Sequence, residues 1–552
     1  MRDDISANAL YRKTFLGKLV ARMSFENEST WNRIVEGSGE DAFHERFERA
    51  IDDLLVRLKQ TRTYSNHIGD KERPTESHFS VTSPIDDTII LGRYPKGTSK
   101  DVSDALTAAE DAFHTWRKTD LSVRIRIFRK AAEIARTEKF ELAALLTIGN
   151  GKNRREAMGE VDMGIDYMEY YSDQMVRSNG YDGEVRSPTP GEGAKNVMLP
   201  YGPWAVICPF NFPFGIALGM TTGVLITGNT AVVKPASPSP TAVYALYGLL
   251  VRAGVPPGVL NLVSGSGAEV GEPLVTHPKV EGIVFTGSLE VGQSILRSTK
   301  ERKYQIPVIL ELGGKNAAIV SDKADLTRAA RGVVSSAFGY SGQKCVACSR
   351  VYVHNAVKEE FLKLLVSMTK EFKVMDPRKR DCRTGPVIHS QALHDYEKAV
   401  SVAKRDGKVI FGGARLMNDG MERGNYVAPT IVTGLPESHP MVKNELFLPI
   451  LVVQGYNDLK QAVDNANDVV YGLTAGICSE DQQETDYFLD NIRCGTVFVN
   501  GVRGATNGAI TGIHAFGGWK ASGSTGRGSG DIYYLMQFLK QQSRAFPMKK
   551  VP

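Results

Sequence analysis

The chain has 552 residues, 42% of them hydrophobic and 23% charged, so it is expected to fold into two or more globular domains. Its 67 Lys and Arg residues nearly balance its 62 Asp and Glu residues, and the basic residues are scattered, which argues against a nucleic-acid partner. Six widely spaced cysteines do not suit a disulfide framework, so a reducing, cytoplasmic location is expected.

The N-terminal part, residues 1–75, is expected to be a helical segment followed by a linker. Its first residues, "MRDDISANALYRK", include acids and no apolar run, so neither a signal nor a transit peptide is expected. The polar stretch "SNHIGDKERPTES" predicts the linker. Helical spacing between residues 40 and 61 predicts the helix, with these apolar residues on one face: Phe43, Phe47, Leu54, Leu55 and Leu58.

Residues 76–312 predict a first α/β domain. Two or three amphipathic helices are expected between residues 101 and 175, and strands then alternate with helices from "PWAVICPF" to "FTGS". Apolar strands separated by helices are typical of a doubly wound parallel sheet, which binds ligands beyond the carboxyl ends of its strands. The uncharged stretch at residues 196–233 is broken by four prolines, so no membrane span is expected. A second α/β domain is expected at residues 313–505.

Three strand ends carry side chains that suit ligand chemistry. "FTGSLEVG" places Gly287 and Ser288 at a strand-to-helix turn that could bind an anion or could be a plain turn, since no P-loop lysine follows. Lys234 ends the strand in "VVKPAS", pointing into a ligand crevice or out to solvent. Glu311 in "LELGGKN" could be a general base or a solvated loop acid.

The stretch "FGYSGQKCVACSR" places Cys345 three residues before Cys348. Such a pair could be a thiol–disulfide redox couple, half of a metal site, or one nucleophile beside a packing residue. No further ligands at zinc-site spacing accompany the pair, so no metal is expected.

Seven motifs in order resemble the NAD(P)-dependent aldehyde dehydrogenase superfamily, over roughly Ser83 to Ala545. They are "PFNFPF", "VVKPAS", "FTGS", "LELGGKN", "GQKC", "NELFLP" and "HAFGGWKASGSTG". The resemblance implies that Cys345 attacks the aldehyde as a thiolate and that Glu311 activates water to hydrolyse the thioester. It also implies that the Asn211 amide and the Cys345 backbone N–H stabilise the oxyanion.

The same resemblance implies a nicotinamide cofactor. Lys234 and Glu445 match ribose-binding positions, Ser288 matches a pyrophosphate contact, and Phe447 matches a position near the nicotinamide ribose. Ser237 stands where relatives selective for NAD often carry glutamate, so NAD is expected and NADP could be accepted. The remaining expected cofactor positions are Gly287, Pro209 and Phe210.

Within the superfamily, the chain resembles the branch that oxidises L-glutamate γ-semialdehyde. The matching substrate positions are Lys344, Gly508, Ala509 and Phe516. Two positions depart from that branch: Val346 replaces a common serine, and Met163 replaces a glutamate. Each loss should weaken binding of a zwitterion by about 1 to 3 kcal/mol unless other groups compensate, so a less polar aldehyde is the alternative substrate.

The resemblance also implies self-assembly. Residues 177–199 match a protruding oligomerisation hairpin, and residues 531–552 match a C-terminal strand that pairs with a partner's sheet. Residues 506–530 match a substrate-anchor loop that returns to the cofactor domain. A homodimer or higher homo-oligomer is therefore expected.

Overall fold

Two seven-stranded sheets organise the chain. The computed structural model describes residues 25–501, 504–508 and 510–548. The strands are β1 (Asn66–Ile68), β2 (Lys71–Arg73), β3 (His78–Thr82), β4 (Ile90–Pro95), β5 (Gly183–Val185), β6 (Glu192–Pro200), β7 (Pro203–Ile207), β8 (Thr230–Lys234), β9 (Leu260–Leu262), β10 (Gly282–Thr286), β11 (Val308–Glu311), β12 (Asn316–Val320), β13 (Cys348–His354), β14 (Lys408–Phe411), β15 (Thr430–Thr433), β16 (Ile450–Tyr456), β17 (Tyr471–Gly472), β18 (Thr474–Cys478), β19 (Thr496–Val499), β20 (Trp519–Lys520) and β21 (Leu539–Pro547).

Helices alternate with these strands along most of the chain. The α-helices are α1 (Thr30–Leu58), α2 (Ser99–Trp116), α3 (Leu121–Thr137), α4 (Lys139–Asn150), α5 (Arg154–Arg177), α6 (Gly215–Ile226), α7 (Pro240–Ala253), α8 (Glu272–Thr276), α9 (Leu289–Ser298), α10 (Leu326–Phe338), α11 (Lys358–Glu371), α12 (Ser390–Asp406), α13 (Pro440–Lys443), α14 (Leu459–Asn467) and α15 (Gln482–Asn491). Within the described ranges, no helix is both long and apolar enough to cross a membrane.

The first sheet has the strand order β11-β10-β7-β8-β9-β1-β2. Strands β7 to β11 are parallel, and Val206 at the centre pairs with Val233 on one side and Val284 on the other. The chain runs from β7 outward through β8 and β9, then returns to the other side of β7 for β10 and β11. This reversal makes the sheet doubly wound, which confirms the predicted fold class and opens a crevice at the carboxyl ends of β7 and β10.

The edge of this sheet differs from the sequence-based prediction. The stretch predicted as a polar linker contains β1 and β2, an antiparallel hairpin joined to β9 through the pairing of His67 with Leu262. Its polarity misled the prediction because β2 is exposed along its length, while Ile68 of β1 is buried in the core. Edge hairpins of this kind carry few apolar residues.

The helical layer before β7 is larger than predicted. Four helices, α2 to α5, occupy the region in which two or three were expected. A short loop that contains Lys152 separates α4 from α5, and the sequence pattern did not predict this helix end. The predicted N-terminal helix is confirmed: α1 buries Phe43, Phe47 and Leu54 against this layer.

The second sheet has the strand order β14-β15-β16-β13-β12-β18-β19. It is parallel except for β14, and buried side chains cover both of its faces. The second α/β unit expected from the sequence is therefore present. The loop that leads into its strand β13 contains Cys345.

A separate three-stranded antiparallel sheet has the order β21-β6-β5. The predicted hairpin corresponds to β5 and β6, and β21 pairs with β6 of the same chain from Leu539 opposite Pro200 to Pro547 opposite Glu192. The C-terminal strand thus completes its own hairpin, whereas the sequence comparison placed it on a partner's sheet. Its role in assembly remains a prediction.

Candidate active site

A tight turn precedes the loop that contains Cys345. After α10 ends, Tyr340 and Ser341 both adopt a left-handed backbone with φ of 51°, a conformation that costs non-glycine residues free energy. The Ser341 backbone N–H donates to Thr384 Oγ1 at 2.7 Å, and its hydroxyl donates to the Gly385 carbonyl at 2.6 Å. These bonds stabilise the turn, whose Ser341 stands four residues before Cys345.

The Cys345 backbone is fixed from the other side by Asn316. The Asn316 side-chain amide donates to the Cys345 carbonyl at 2.7 Å and to the Ala347 carbonyl at 2.9 Å. The backbone N–H groups of Cys345 and Val346 approach the sulfur and favour its thiolate. Burial, together with the charges of Glu445 and Glu311, outweighs them and raises the pKa of the Cys345 thiol to about 12. The resting group is therefore a neutral thiol at pH 7.

Glu311 ends β11 and lines the same cavity as Cys345. Burial raises the pKa of its carboxyl well above the usual value, and one of its oxygens, Oε2, has no hydrogen-bond partner among the described residues. A carboxyl whose pKa is raised in this way can exchange a proton with a bound water. The position suits a general acid–base group.

Asn211 follows β7 and is buried beside the nucleophile loop. Its side-chain Nδ2 donates to the carbonyl of Gln343 at 3.1 Å, two residues before Cys345. An amide nitrogen carries two N–H donors, and the described residues use only this one. The other N–H can therefore serve a ligand oxygen.

Cys345 and Glu311 line one cavity that opens to solvent. Three predicted substrate positions, Val346, Gly508 and Phe516, line it, as does Met163. Ala509 lies outside the described residues. The other lining residues are Tyr167, Phe212, Ile216, Gly219, Met220, Thr286, Leu312, Ser529 and Tyr534. The wall is therefore mainly apolar.

Lys344 is not among the residues that line this cavity. Its ammonium lies 2.7 Å from a carboxylate oxygen of Glu156 on α5. The structure thus gives Lys344 a partner of its own, and a contact with substrate remains a prediction.

A second group of predicted residues surrounds the carboxyl ends of β7 and β8. Lys234 ends β8, is 6% exposed, and donates from Nζ to the Pro235 carbonyl at 3.2 Å. Burial lowers the pKa of this ammonium. Ser237 lies three residues further on, with its hydroxyl 3.5 Å from the Gly265 carbonyl. Pro209 is buried in the loop after β7, next to Phe210.

At the end of β10, Gly287 leads into Ser288, which caps α9 by accepting a hydrogen bond from the Val291 N–H at 3.3 Å. The exposed N-terminus of this helix favours an anion. Glu445 accepts a hydrogen bond from the Gly314 N–H at 2.8 Å, and burial raises the pKa of its carboxyl to about 7.

Phe447 has a left-handed backbone with φ of 60°, and its ring meets that of Phe210 edge-on, with centroids 5.7 Å apart. A buried ammonium, a carboxylate and a helix N-terminus together suit a dinucleotide, since ribose hydroxyls and a pyrophosphate need these groups. In the described part of the chain, no cluster of three or more His, Cys, Asp or Glu residues could hold a metal ion.

The aldehyde dehydrogenase family model matches residues 71–543. The chain belongs to this family. The family resemblance noted in the sequence is therefore confirmed. That Cys345 is the nucleophile and Cys348 a packing residue stays a prediction. Cys348 begins β13, is 1% exposed, and its thiol lies 3.3 Å from the Arg350 carbonyl.

Aldehyde dehydrogenases of one kind recur among the similar proteins. The 1-pyrroline-5-carboxylate dehydrogenase of Anoxybacillus flavithermus is 37% identical over 500 residues, which are 90% of this chain and 95% of that protein. The enzyme of the same name from Geobacillus kaustophilus is 37% identical over 480 residues, 86% of this chain and 91% of that protein. The solved structure of 1-pyrroline-5-carboxylate dehydrogenase from Thermus with bound NAD has a TM-score of 0.88 at 33% identity, covering 95% of this chain and 99% of that one.

Two site residues were missed by the sequence analysis, Asn316 and Gln343. Both stand inside motifs that were recognised, "LELGGKN" and "GQKC", yet their function is to hold backbone groups. Their side-chain amides have no charge or reactivity to indicate a role. Position within a motif was the only available signal.

Proposed function

We propose that this enzyme oxidises L-glutamate γ-semialdehyde to L-glutamate with NAD. The observation that carries the proposal is the shared cavity, which is lined by Cys345, Glu311, Gly508 and Phe516. The proteins named 1-pyrroline-5-carboxylate dehydrogenase support it, because they are 37% identical to this chain over most of its length.

The reaction begins at Cys345. Its sulfur bonds to the aldehyde carbon as the thiol proton passes to solvent water, and the carbonyl oxygen becomes an oxyanion near the Asn211 amide and the Cys345 N–H. NAD held by Lys234 and Glu445 would supply the oxidant, since a nicotinamide ring can accept the hydride of that carbon. Glu311 then takes a proton from water, the water oxygen bonds to the thioester carbon, and the carbon–sulfur bond breaks to release the acid and restore the thiol.

The cofactor is assigned from the predicted binding residues at the carboxyl ends of β7, β8 and β10. Lys234 and Glu445 would hold ribose hydroxyls, Gly287 and Ser288 the pyrophosphate, and Phe447 the nicotinamide side. Pro209, Phe210 and Ser237 would complete the contact surface. Ser237 is neutral and small, so a 2′-phosphate would meet no carboxylate there and NADP could be accepted.

The substrate assignment places the α-carboxylate at the anchor loop. The backbone N–H groups of Gly508 and Ala509 would hold it, Phe516 would flank the aliphatic stem, and Lys344 would add positive charge from outside the cavity wall. Glu311 directs water to the thioester, which favours the free acid as product over transfer to a thiol such as coenzyme A.

A second candidate substrate class is a less polar aldehyde. Val346 and Met163 both line the cavity where the related branch has a serine and a glutamate. Neither side chain can bind a carboxylate or an ammonium. A medium-chain or aromatic aldehyde would meet a surface of matching polarity.

We further propose that the enzyme is a homodimer or higher oligomer in the cytoplasm. The three-stranded sheet formed by β5, β6 and β21 lies apart from both large sheets and supports assembly by edge pairing. All six cysteines are unpaired, which suits a reducing compartment. The domain limits proposed from the sequence are 1–75, 76–312, 313–505, 506–530 and 531–552, except that the β1–β2 hairpin of the first segment joins the first large sheet.

The reaction is tested with two cysteine variants. Cys345→Ala should abolish NADH formation from glutamate semialdehyde, whereas Cys348→Ala, the matched control, should keep most of it. Amino-acid analysis should find one L-glutamate formed for each NADH in the wild type. Full activity in Cys345→Ala, or an acyl thioester as the major product when coenzyme A is added, would contradict the mechanism.

A further inference from the structure

Two oppositely charged side chains are completely enclosed between the cofactor sheet and the nucleophile turn. Lys152, just before α5, is 1% exposed, and Glu160 on α5 is 0% exposed. The Lys152 ammonium donates to Glu160 Oε2. Neither residue lines the cavity or takes part in the proposed chemistry. Because burying two charges is costly, such a pair needs further bonds to be tolerated.

Glu160 makes these further bonds with the segment that carries Asn211. Its other oxygen, Oε1, accepts hydrogen bonds from the backbone N–H of Phe214 at 2.8 Å and of Gly215 at 3.1 Å. Both N–H groups belong to the start of α6, where backbone donors lack partners within the helix. The carboxylate therefore fixes the first turn of α6 three residues after Asn211.

Lys152 contacts both loops of the catalytic site. Its ammonium lies 3.5 Å from the ring centroid of Phe212, the cavity residue next to Asn211. On another side it lies 4.7 Å from the ring centroid of Tyr340, in the left-handed turn before Cys345. Such contacts between a desolvated cation and an aromatic face are attractive. One buried ammonium thus touches the segment of the oxyanion donor and the turn of the nucleophile.

We propose that the Lys152–Glu160 pair positions the Asn211 amide relative to Cys345. The hydrogen bonds that Glu160 accepts from the Phe214 and Gly215 N–H groups are the essential part of this function. The inference rests on the proposed role of Asn211 as oxyanion donor. A displacement of about 1 Å at such a donor can cost about 100-fold in rate. The pair acts through Asn211 and does not touch the substrate.

Two double variants distinguish a role in positioning Asn211 from a role in the stability of the fold alone. Lys152→Met with Glu160→Gln removes both charges but keeps a carbonyl oxygen that can accept from the two N–H groups. Lys152→Met with Glu160→Leu removes the same charges and leaves the N–H groups without an acceptor. The two variants match in charge and closely in volume, and replacing a whole buried ion pair is often tolerated.

The measurements are the pre-steady-state rate of NADH formation, the KM values, and the thermal unfolding temperature. We expect the Gln variant to rescue the rate to within about threefold of wild type, and the Leu variant to lose about 10- to 100-fold in the rate of hydride transfer. The KM for NAD should change less than twofold in both, because Lys234 and Glu445 are untouched. Asn211→Ala added to the Leu variant should cost little more, since the two changes disrupt one unit.

Three outcomes would overturn the proposal or its basis. Equal hydride-transfer rates in the Gln and Leu variants, while Asn211→Ala alone is slow, would refute the positioning role. A fast Asn211→Ala single variant would refute the oxyanion role itself. If the Leu variant does not fold, Glu160→Asp serves instead: it keeps the charge opposite Lys152 but is one methylene too short, and a wild-type rate in it would also refute the proposal.

Discussion

The Cys345 thiol is neutral in the resting enzyme because its surroundings disfavour the thiolate. Burial is the main cause, and the carboxyls of Glu445 and Glu311 add to it, so the pKa of Cys345 is raised to about 12. The nucleophile of this family must nevertheless react as a thiolate. In the proposed mechanism, the Cys345 thiol therefore loses its proton only as its sulfur bonds to the substrate carbon.

This state predicts the pH dependence of alkylation. With a pKa of about 12, the thiolate fraction of Cys345 should rise about tenfold for each pH unit between pH 7 and pH 9. Iodoacetamide should modify Cys345 in the cofactor-free enzyme with a rate that rises in the same way, measured by mass spectrometry of the Cys345 peptide in the Cys348→Ala variant. A rate that levels off below pH 8 would show that the thiol is far more acidic than its surroundings imply.

At the scale of elements, helix α5 links the N-terminal segment to the site. Asp162 accepts hydrogen bonds from the Thr30 backbone N–H at 2.8 Å and hydroxyl at 2.6 Å. One turn later, Asp166 accepts from the Asn27 side chain at 2.8 Å and from the Glu28 N–H at 2.9 Å. The same helix carries Glu160 and Met163. The N-terminal segment thus packs on the element that forms one wall of the cavity.

Asp166 makes the stability of this contact dependent on pH. Burial is the main cause that raises the pKa of Asp166 to about 7, whereas an unfolded aspartate ionises near pH 3.9. The folded state therefore prefers Asp166 in its protonated form. The free energy of unfolding falls as the pH rises from about 4 to about 7, because the unfolded chain loses the Asp166 proton more easily. Asp166→Asn should gain about 2 to 3 kcal/mol more stability, relative to wild type, at pH 8 than at pH 5.

Denaturant unfolding at the two pH values checks this expectation. Asp70→Asn, at the exposed turn between β1 and β2, controls for the general loss of a negative charge. If Asp166→Asn were less stable at pH 8 than at pH 5 relative to wild type, the buried aspartate would be ionised at little cost and the account of this contact would fail.

Elements differed in how well the sequence predicted them. The strands from β7 to β12 were predictable because each is mostly apolar and is followed by a helix or a glycine-rich turn. The β1–β2 hairpin was not, because exposure of β2 leaves a polar pattern like that of a linker. Cys345, Glu311 and Asn211 were predicted from motifs, and the structure brings Cys345 and Glu311 to one cavity with Asn211 bonded to the loop of Cys345; their roles stay predictions. Glu160 was not, since its function depends on backbone N–H groups brought to it by another helix.

At the scale of the whole molecule, the reaction site lies where two sheets meet. The carboxyl ends of β8, β10 and β11 present Lys234, Ser288 and Glu311, and the loop before β13 of the second sheet presents Cys345. A cofactor held by the first sheet and a substrate at Cys345 could therefore meet in one crevice. The small sheet of β5, β6 and β21 takes no part in this site.

The small sheet predicts self-association. Strand β21 pairs with β6 on one side, and most of its side chains are exposed in the single chain. An exposed edge strand nine residues long is normally covered. Light scattering of the purified enzyme at micromolar concentration should give at least twice the chain mass of 60.4 kDa. A mass equal to a single chain would refute the assembly.

The central claim is that an apolar wall containing Val346 and Met163 still serves a zwitterionic substrate. The most direct test is kcat/KM for glutamate semialdehyde, succinate semialdehyde, hexanal and benzaldehyde, with wild type and Val346→Ser and with NAD and NADP. The account predicts that the wild type prefers glutamate semialdehyde, and that Val346→Ser lowers the KM for it by adding a donor while hexanal gains nothing. A hundredfold preference of the wild type for hexanal, equivalent to about 2.7 kcal/mol of transition-state discrimination, would contradict it.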